Sequence, residues 1–211
     1  MKAEDEHRRV RGMLDGVSGD GVPRLDVWRP SRHVAFGRRD EREPGYSDAV
    51  DVARQHGLDV ATRTAGGRAV VHLGDTLAFA VALTGVDGVR HRYCKASDAL
   101  QDALRAVGVE TECREPRSSF CPGEHSLSAS GGKLAGVAQR VKRDAALVSG
   151  VVLVDGLRDT VRVLDDVYSA LDVEFDPASV STAADETDVD VDALATEVRR
   201  SMLDEFDVDS G

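Results

Sequence analysis

One stretch of the chain concentrates reactive residue types: Phe120-Cys121-Pro122-Gly123-Glu124-His125-Ser126-Leu127-Ser128, then Gly131-Gly132 and Lys133-Leu134-Ala135-Gly136-Val137-Ala138-Gln139-Arg140. A thiol, a tight turn and a lysine fall within thirteen residues. Free cysteine titrates near ~8.5, and a nearby cation lowers that value. Lys133 beside Cys121 would therefore give a nucleophile active near neutral pH. Lysine is scarce in this arginine-using chain, occurring only as Lys2, Lys95, Lys133 and Lys142. Arginine does not readily give up a proton, so a lysine in this block suits proton transfer. On residue types alone, Cys121 still reads as a small buried apolar group beside Pro122, and Lys133 as a surface residue of a hairpin. His125 is a rival base by its nearness to Cys121. Cys94 and Cys113 match no functional motif and read as structural. The three cysteines have neither a metal-ligand spacing nor an even disulfide framework, and they fit a reducing compartment.

The elements that must carry these residues are legible as strands and helices in turn. Residues 1–22 are charged and glycine-rich and read as a mobile or loosely packed lead-in. Residues 25–28 and 33–36 read as short strands with Pro30 between them. A helix is expected over 47–56, capped by Ser47 and stopped by Gly57. A strand over 58–63 leads into the loop Thr64-Ala65-Gly66-Gly67 and then a strand through Val70 and Val71. Residues 77–83 form an unbroken apolar run, as in a buried central strand. A helix over 97–107 would be capped by Ser97 and ended by Gly108, and 109–113 is a candidate strand. Gly131-Gly132 reads as the two-residue turn of a hairpin, which sets Ser130 opposite Lys133. Cys121 is then no cross-strand neighbour of Lys133, and residues 121–125 must fold back to bring sulfur near nitrogen. Residues 145–154 read as a strand and 161–171 as a helix. Residues 181–192 look like a solvated linker, and 191–206 is an amphipathic helix that packs back on the domain. The mixture lacks a regular βαβ rhythm, so the fold class is α+β, with a mixed, largely antiparallel sheet flanked by helices. The chain divides into a charged lead-in (1–22), a main domain (23–176) and an acidic linker with terminal helix (177–211).

Composition narrows the function. At 211 residues the chain suits one domain with a substantial core. Its net charge of −11 repels nucleic-acid phosphates. Aspartate far outnumbers glutamate, which suggests adaptation to high salt, where screening weakens self-repulsion. The N-terminus lacks the apolar core of a signal peptide, and no run approaches the ~20 apolar residues of a membrane span, so a cytoplasmic protein is expected.

The stretch FCPGEHSLSASGGKLAGVAQR resembles the cysteine–lysine region of the octanoyl amidotransferases. These belong to the lipoate and octanoate transfer family, which shares its catalytic domain with biotin protein ligases. Upstream, Arg63-Thr64-Ala65-Gly66-Gly67-Arg68-Ala69-Val70-Val71-His72 is similar to the family's acyl-binding segment, and HVAFGRRD at 33–40 is also similar. The resemblance covers about residues 24–170 and keeps the family's order. It implies a biotin/lipoate protein ligase-like catalytic domain over 23–176. It makes Cys121 the nucleophile, forming a thioester, and Lys133 the residue that stabilises the thiolate, contacts the acyl oxygen and protonates the departing amine. Arg63, Ala65, Gly66, Gly67 and His72 would line the acyl site, with Gly136, Ala138 and Gln139 leaving room for an eight-carbon chain. The implied donor is the H protein of glycine cleavage, and the acceptors are lipoyl domains of 2-oxoacid dehydrogenases. No cofactor or metal is needed for amidotransfer. Two alternatives stay open: an ATP- and Mg-dependent lipoate–protein ligase, and a non-catalytic lipoyl-carrier binding protein. The chain departs from the ligase branch at Arg68, where a third glycine is usual, and at Leu73, where an acidic residue usually follows the histidine.

Overall fold

The computed structural model describes residues 3–63, 67–85 and 88–208. The described residues form two sheets. The larger is built from β1 (Arg24–Trp28), β5 (Thr76–Thr84), β6 (Glu112–Cys113), β7 (Ser126–Ala129), β8 (Gly132–Val141) and β9 (Ala145–Leu153). It runs in the order β1-β5-β9-β8-β7-β6, antiparallel throughout. The smaller joins β3 (Asp59–Thr62), β2 (His33–Phe36) and β4 (Val70–His72), with one parallel and one antiparallel pairing. This is the expected α+β class with a largely antiparallel main sheet.

The apolar run around Phe79 forms the buried centre of the large sheet, flanked by β1 and β9. Helices α3 (Val89–Ala106) and α5 (Val191–Phe206) cover one face. Leu100 and Leu104 of α3 bury with Leu194, Val198, Met202 and Phe206 of α5 in one core. The terminal helix therefore packs back, as its apolar spacing predicts. Helices α2 (Tyr46–Gln55) and α4 (Leu157–Ala170) cover the small sheet through Ala49, Ala53, Leu164 and Val167.

Several boundaries differ from the sequence reading. The lead-in is a helix, α1 (Ala3–Asp20), whose Met13, Leu14 and Val17 pack on Ala80, Ala82 and Leu147. Val10, Met13, Leu14 and Val17 do have helical spacing, but Gly12, Gly16 and Gly19 mask it. Helix α3 begins at Val89, behind Gly88, and Ser97 is buried in its interior rather than capping it. Helix α2 likewise starts without a side-chain cap, behind Gly45, and α4 starts at Leu157, just after Gly156 in the left-handed region. Part of the expected linker is packed: Val180, Ser181, Thr182 and Ala183 are buried. Its polar groups are satisfied internally, with the Ser181 hydroxyl donating to the Gly132 carbonyl at 2.8 Å and the Ser181 N–H to the Lys133 carbonyl at 3.0 Å.

The β7–β8 hairpin turns one residue earlier than expected. Ser130 and Gly131 occupy the turn, both at positive φ, and Gly132 already pairs with Ala129. Lys133 stands opposite Ser128 rather than Ser130. Gly132 serves another purpose: a Cβ there would collide with the backbone of Val180 at 2.5 Å.

Candidate active site

Three segments converge on one cavity. The loop 114–125, joining β6 to β7, carries Cys121. The segment after β3 brings Arg63, and β8 brings Lys133. Cys121 sits at φ +42°, a strained conformation for a non-glycine residue. The loop is held by hydrogen bonds: the Cys121 N–H donates to the Tyr168 hydroxyl at 2.6 Å, and that hydroxyl donates to the Ala69 carbonyl at 3.1 Å.

The thiol's hydrogen-bond partner is Arg63, whose Nη2 lies 2.8 Å from Cys121 Sγ. The same guanidinium donates to the Arg68 carbonyl. A Cβ on Gly67 would lie 2.5 Å from the sulfur and 2.9 Å from Arg63 Nη2. Gly67 is therefore required by the approach of the thiol itself as well as by its φ of +99°. Ala65 and Gly66 lie outside the described residues.

Lys133 is 2% exposed. Its Nζ donates to the Cys121 carbonyl at 2.8 Å, to the Phe120 carbonyl at 3.1 Å and to the Glu115 carboxylate at 3.2 and 3.4 Å. Residues 121–125 thus fold back onto the lysine as required, but the lysine grips the cysteine's backbone while arginine grips its sulfur. Gly136 makes room for this arrangement: a Cβ there would sit 3.3 Å from Lys133 Cε.

The electrostatics follow from these neighbours. Burial pushes the Cys121 thiol up, but the charges of Arg63 and Lys133 together outweigh it and leave the thiol below its usual value. Burial pulls Lys133 down from the usual lysine range, opposed by the charges of Cys121 and Glu115. The thiol end opens into a cavity of about 140 Å³. Val70, Ala78, Phe79, Leu147 and Val151 are among its apolar walls. An apolar cavity of about 150 Å³ is enough to take up benzene, so this space has room for a small organic group.

Of the remaining expected residues, Gly136, Ala138 and His72 line the cavity. His72 is buried against His33, ring centroids 4.6 Å apart, and its Nδ1 meets the Thr76 hydroxyl at 3.0 Å. Gln139 points elsewhere: its Oε1 accepts from Arg92 at 2.9 Å and its amide donates to the Val89 carbonyl at 2.8 Å. The strand alternates faces, and α3, which begins earlier than expected, captures this side chain. His125 stacks on Tyr93 at 3.6 Å and is engaged away from the thiol. Glu115, Tyr168 and the cavity-lining Glu6, His7 and Trp28 were not legible as site residues. None lies in a reactive motif, and Glu6 and His7 belong to the helix read as a lead-in.

The model of the lipoyl protein ligase A/B catalytic domain matches residues 13–207. The chain belongs to that family. The match is wider than the resemblance over 24–170, taking in the C-terminal part of α1 from Met13 and the terminal helix. Within the family, the chain is 32% identical over 134 residues to an octanoyl-[GcvH]:protein N-octanoyltransferase of Bacillus velezensis, covering 62% of this chain and 46% of that protein. It is 30% identical over 157 residues to the enzyme of that name from Exiguobacterium sibiricum, covering 68% and 54%. A lipoyl-[GcvH]:protein N-lipoyltransferase of Listeria monocytogenes is 26% identical over 146 residues, covering 67% and 52%. The chain thus spans about half the length of the curated relatives it matches. Among solved structures, lipoate-protein ligase A bound with ATP superposes with a TM-score of 0.76 at 22% identity, covering 96% of this chain and 80% of that one. The archaeal bi-partite lipoate protein ligase from Thermoplasma acidophilum superposes with a TM-score of 0.71 at 20% identity, covering 99% and 82%. These likenesses establish the fold.

Proposed function

We propose that this protein is an acyltransferase of protein lipoylation that moves an octanoyl or lipoyl group between carrier proteins through a thioester on Cys121. The observation that carries the reading is the Cys121 sulfur, 2.8 Å from the Arg63 guanidinium, at the edge of an apolar cavity. Arg63 holds the sulfur as a thiolate, and the cavity takes the hydrocarbon. The thiolate attacks the carbonyl carbon of an acyl-lysine amide on the donor. Lys133 stabilises the charge that develops on oxygen and gives a proton to the departing lysine amine. The C–N bond breaks and a thioester remains. The amine of the acceptor lysine then attacks the thioester, its proton returns to Lys133, and the thiolate leaves.

The names of the curated relatives point to the H protein, GcvH, as donor, and lipoyl domains of 2-oxoacid dehydrogenases are the proposed acceptors. The proposed setting is the cytoplasm of a cell with high internal salt, which suits the net charge of −11. No helix among the described residues is long and apolar enough to cross a membrane.

Amide exchange requires no ATP. The ligase alternative, with ATP and Mg, is less favoured by Arg68, which stands where a third glycine is usual. Its guanidinium is paired with Asp40 at 3.2 Å and Glu43 at 2.9 Å, and so is neutralised rather than offered to a nucleotide phosphate. The test is carrier modification with and without ATP. Octanoyl transfer from octanoylated H protein to an unmodified lipoyl domain without ATP is expected. Modification that depends on ATP and free octanoate would replace this reading with the ligase.

A further inference from the structure

Glu115 lies in the Cys121 loop but belongs to neither reactive motif, yet its carboxylate accepts from four different residues at the site. Oε1 accepts from the Ser119 hydroxyl and from Lys133 Nζ at 3.4 Å. Oε2 accepts from the Ser126 hydroxyl, from the Gly123 N–H at 3.2 Å and from Lys133 Nζ at 3.2 Å. One carboxylate thus ties both ends of the loop to the buried lysine.

The lysine's own bonds show why this matters. A lysine ammonium has three N–H donors. Here they serve the carbonyls of Phe120 and Cys121 and the Glu115 carboxylate. An acyl oxygen entering the site needs one of them. The two carbonyl bonds, at 3.1 and 2.8 Å, hold the nucleophile's backbone in place. The split contact to Glu115, at 3.2 and 3.4 Å, is the longest and the one most readily exchanged.

We propose that Glu115 is the positioning residue of this site: it keeps Lys133 an ammonium between acylations and yields one lysine donor to the acyl oxygen during them. The inference rests on the transferase reading for its catalytic consequence, but the pairing itself can be measured without turnover. Three charged or titrating groups bear on Lys133: Cys121 from its own loop, Arg63 from beyond β3, and Glu115. Cys121 and Glu115 favour the charged lysine, whereas burial and Arg63 oppose it. Removing the Glu115 charge should therefore let Lys133 lose its proton at lower pH.

With four lysines in the chain, each ¹³Cε resonance can be assigned and titrated by NMR in the intact protein. In E115Q the Lys133 midpoint is expected to fall by about one pH unit. The alkaline limb of ATP-independent transfer should fall with it, while E115D keeps the wild-type limb. A Lys133 midpoint unmoved in folded E115Q overturns the proposal, even if transfer is slower. If E115Q does not fold, the double variant S119A/S126A supplies the reading. It removes competing donors and leaves the carboxylate to the lysine, so the midpoint should rise, and an unmoved midpoint overturns the proposal. A shifted midpoint with no ATP-independent transfer in the wild type would support the pairing while removing the transferase reading.

Discussion

At Cys121, two cations divide the work. Arg63 contacts the sulfur and Lys133 the backbone carbonyl behind it. Replacing Arg63 by Gln removes a buried charge and a hydrogen bond that favour the thiolate, so the thiol should titrate about 1–2 pH units higher. The pH dependence of iodoacetamide alkylation checks this, in a protein with Cys94 and Cys113 changed to Ser, since both are exposed. Gly67→Ala should disable the site by a different route. Its φ of +99° disfavours a side chain, and the new methyl would occupy the space of the sulfur. A loss of about 2 kcal/mol or more in stability is expected, read as a lower denaturation midpoint. The sequence exposed Cys121 and Lys133 because their motif is contiguous. It did not show that Arg63 contacts the sulfur, because Arg63 reaches it from 58 positions away, a closure that local spacing does not encode.

At the scale of elements, apolar periodicity was the reliable signal and capping residues were not. The apolar runs of β5 and β9 and the stripe of α5 appear where expected, because burial against neighbours rewards those patterns whatever the flanking residues. Ser47 and Ser97 failed as cap signals because glycines at 45 and 88 begin those helices earlier. Gly131-Gly132 misled because only Gly131 meets a turn requirement, while Gly132 accommodates the chain at Val180. The terminal helix is part of the core, since Leu194, Val198 and Met202 are fully buried. Met202→Ala is accordingly expected to cost about 2–4 kcal/mol, measured by urea denaturation. A change within ~0.5 kcal/mol, the range of surface substitutions, would mean the helix is not packed as described.

For the whole molecule, pH and salt act through buried histidines and surface charge. His7 is lowered to about 4, first by burial and then by the charge of His33. His33 and His72 are lowered mainly by burial. Above ~6.5 these groups are neutral in both folded and unfolded chains, and no stability depends on them. As pH falls below ~6.5 the unfolded chain takes up protons that the folded chain refuses, so stability declines. For His7 the loss accumulates until about pH 4, on the order of 2–3 kcal/mol. Urea denaturation between pH 7 and 4 should show this decline, and a flat profile would count against neutral buried imidazoles. The net charge of −11 is expected to make the protein more stable as potassium chloride screens it, and equal stability at low and high salt would remove the high-salt reading.

In the proposed reaction Cys121 carries the acyl group. The most direct measurement is the intact mass of the protein after incubation with octanoylated H protein without ATP, alongside Cys121→Ala. The parent protein is expected to gain the mass of a single octanoyl group, removable by hydroxylamine as a thioester is, and the variant none. An unmodified parent protein, or equal modification of the variant, would contradict the proposed reaction.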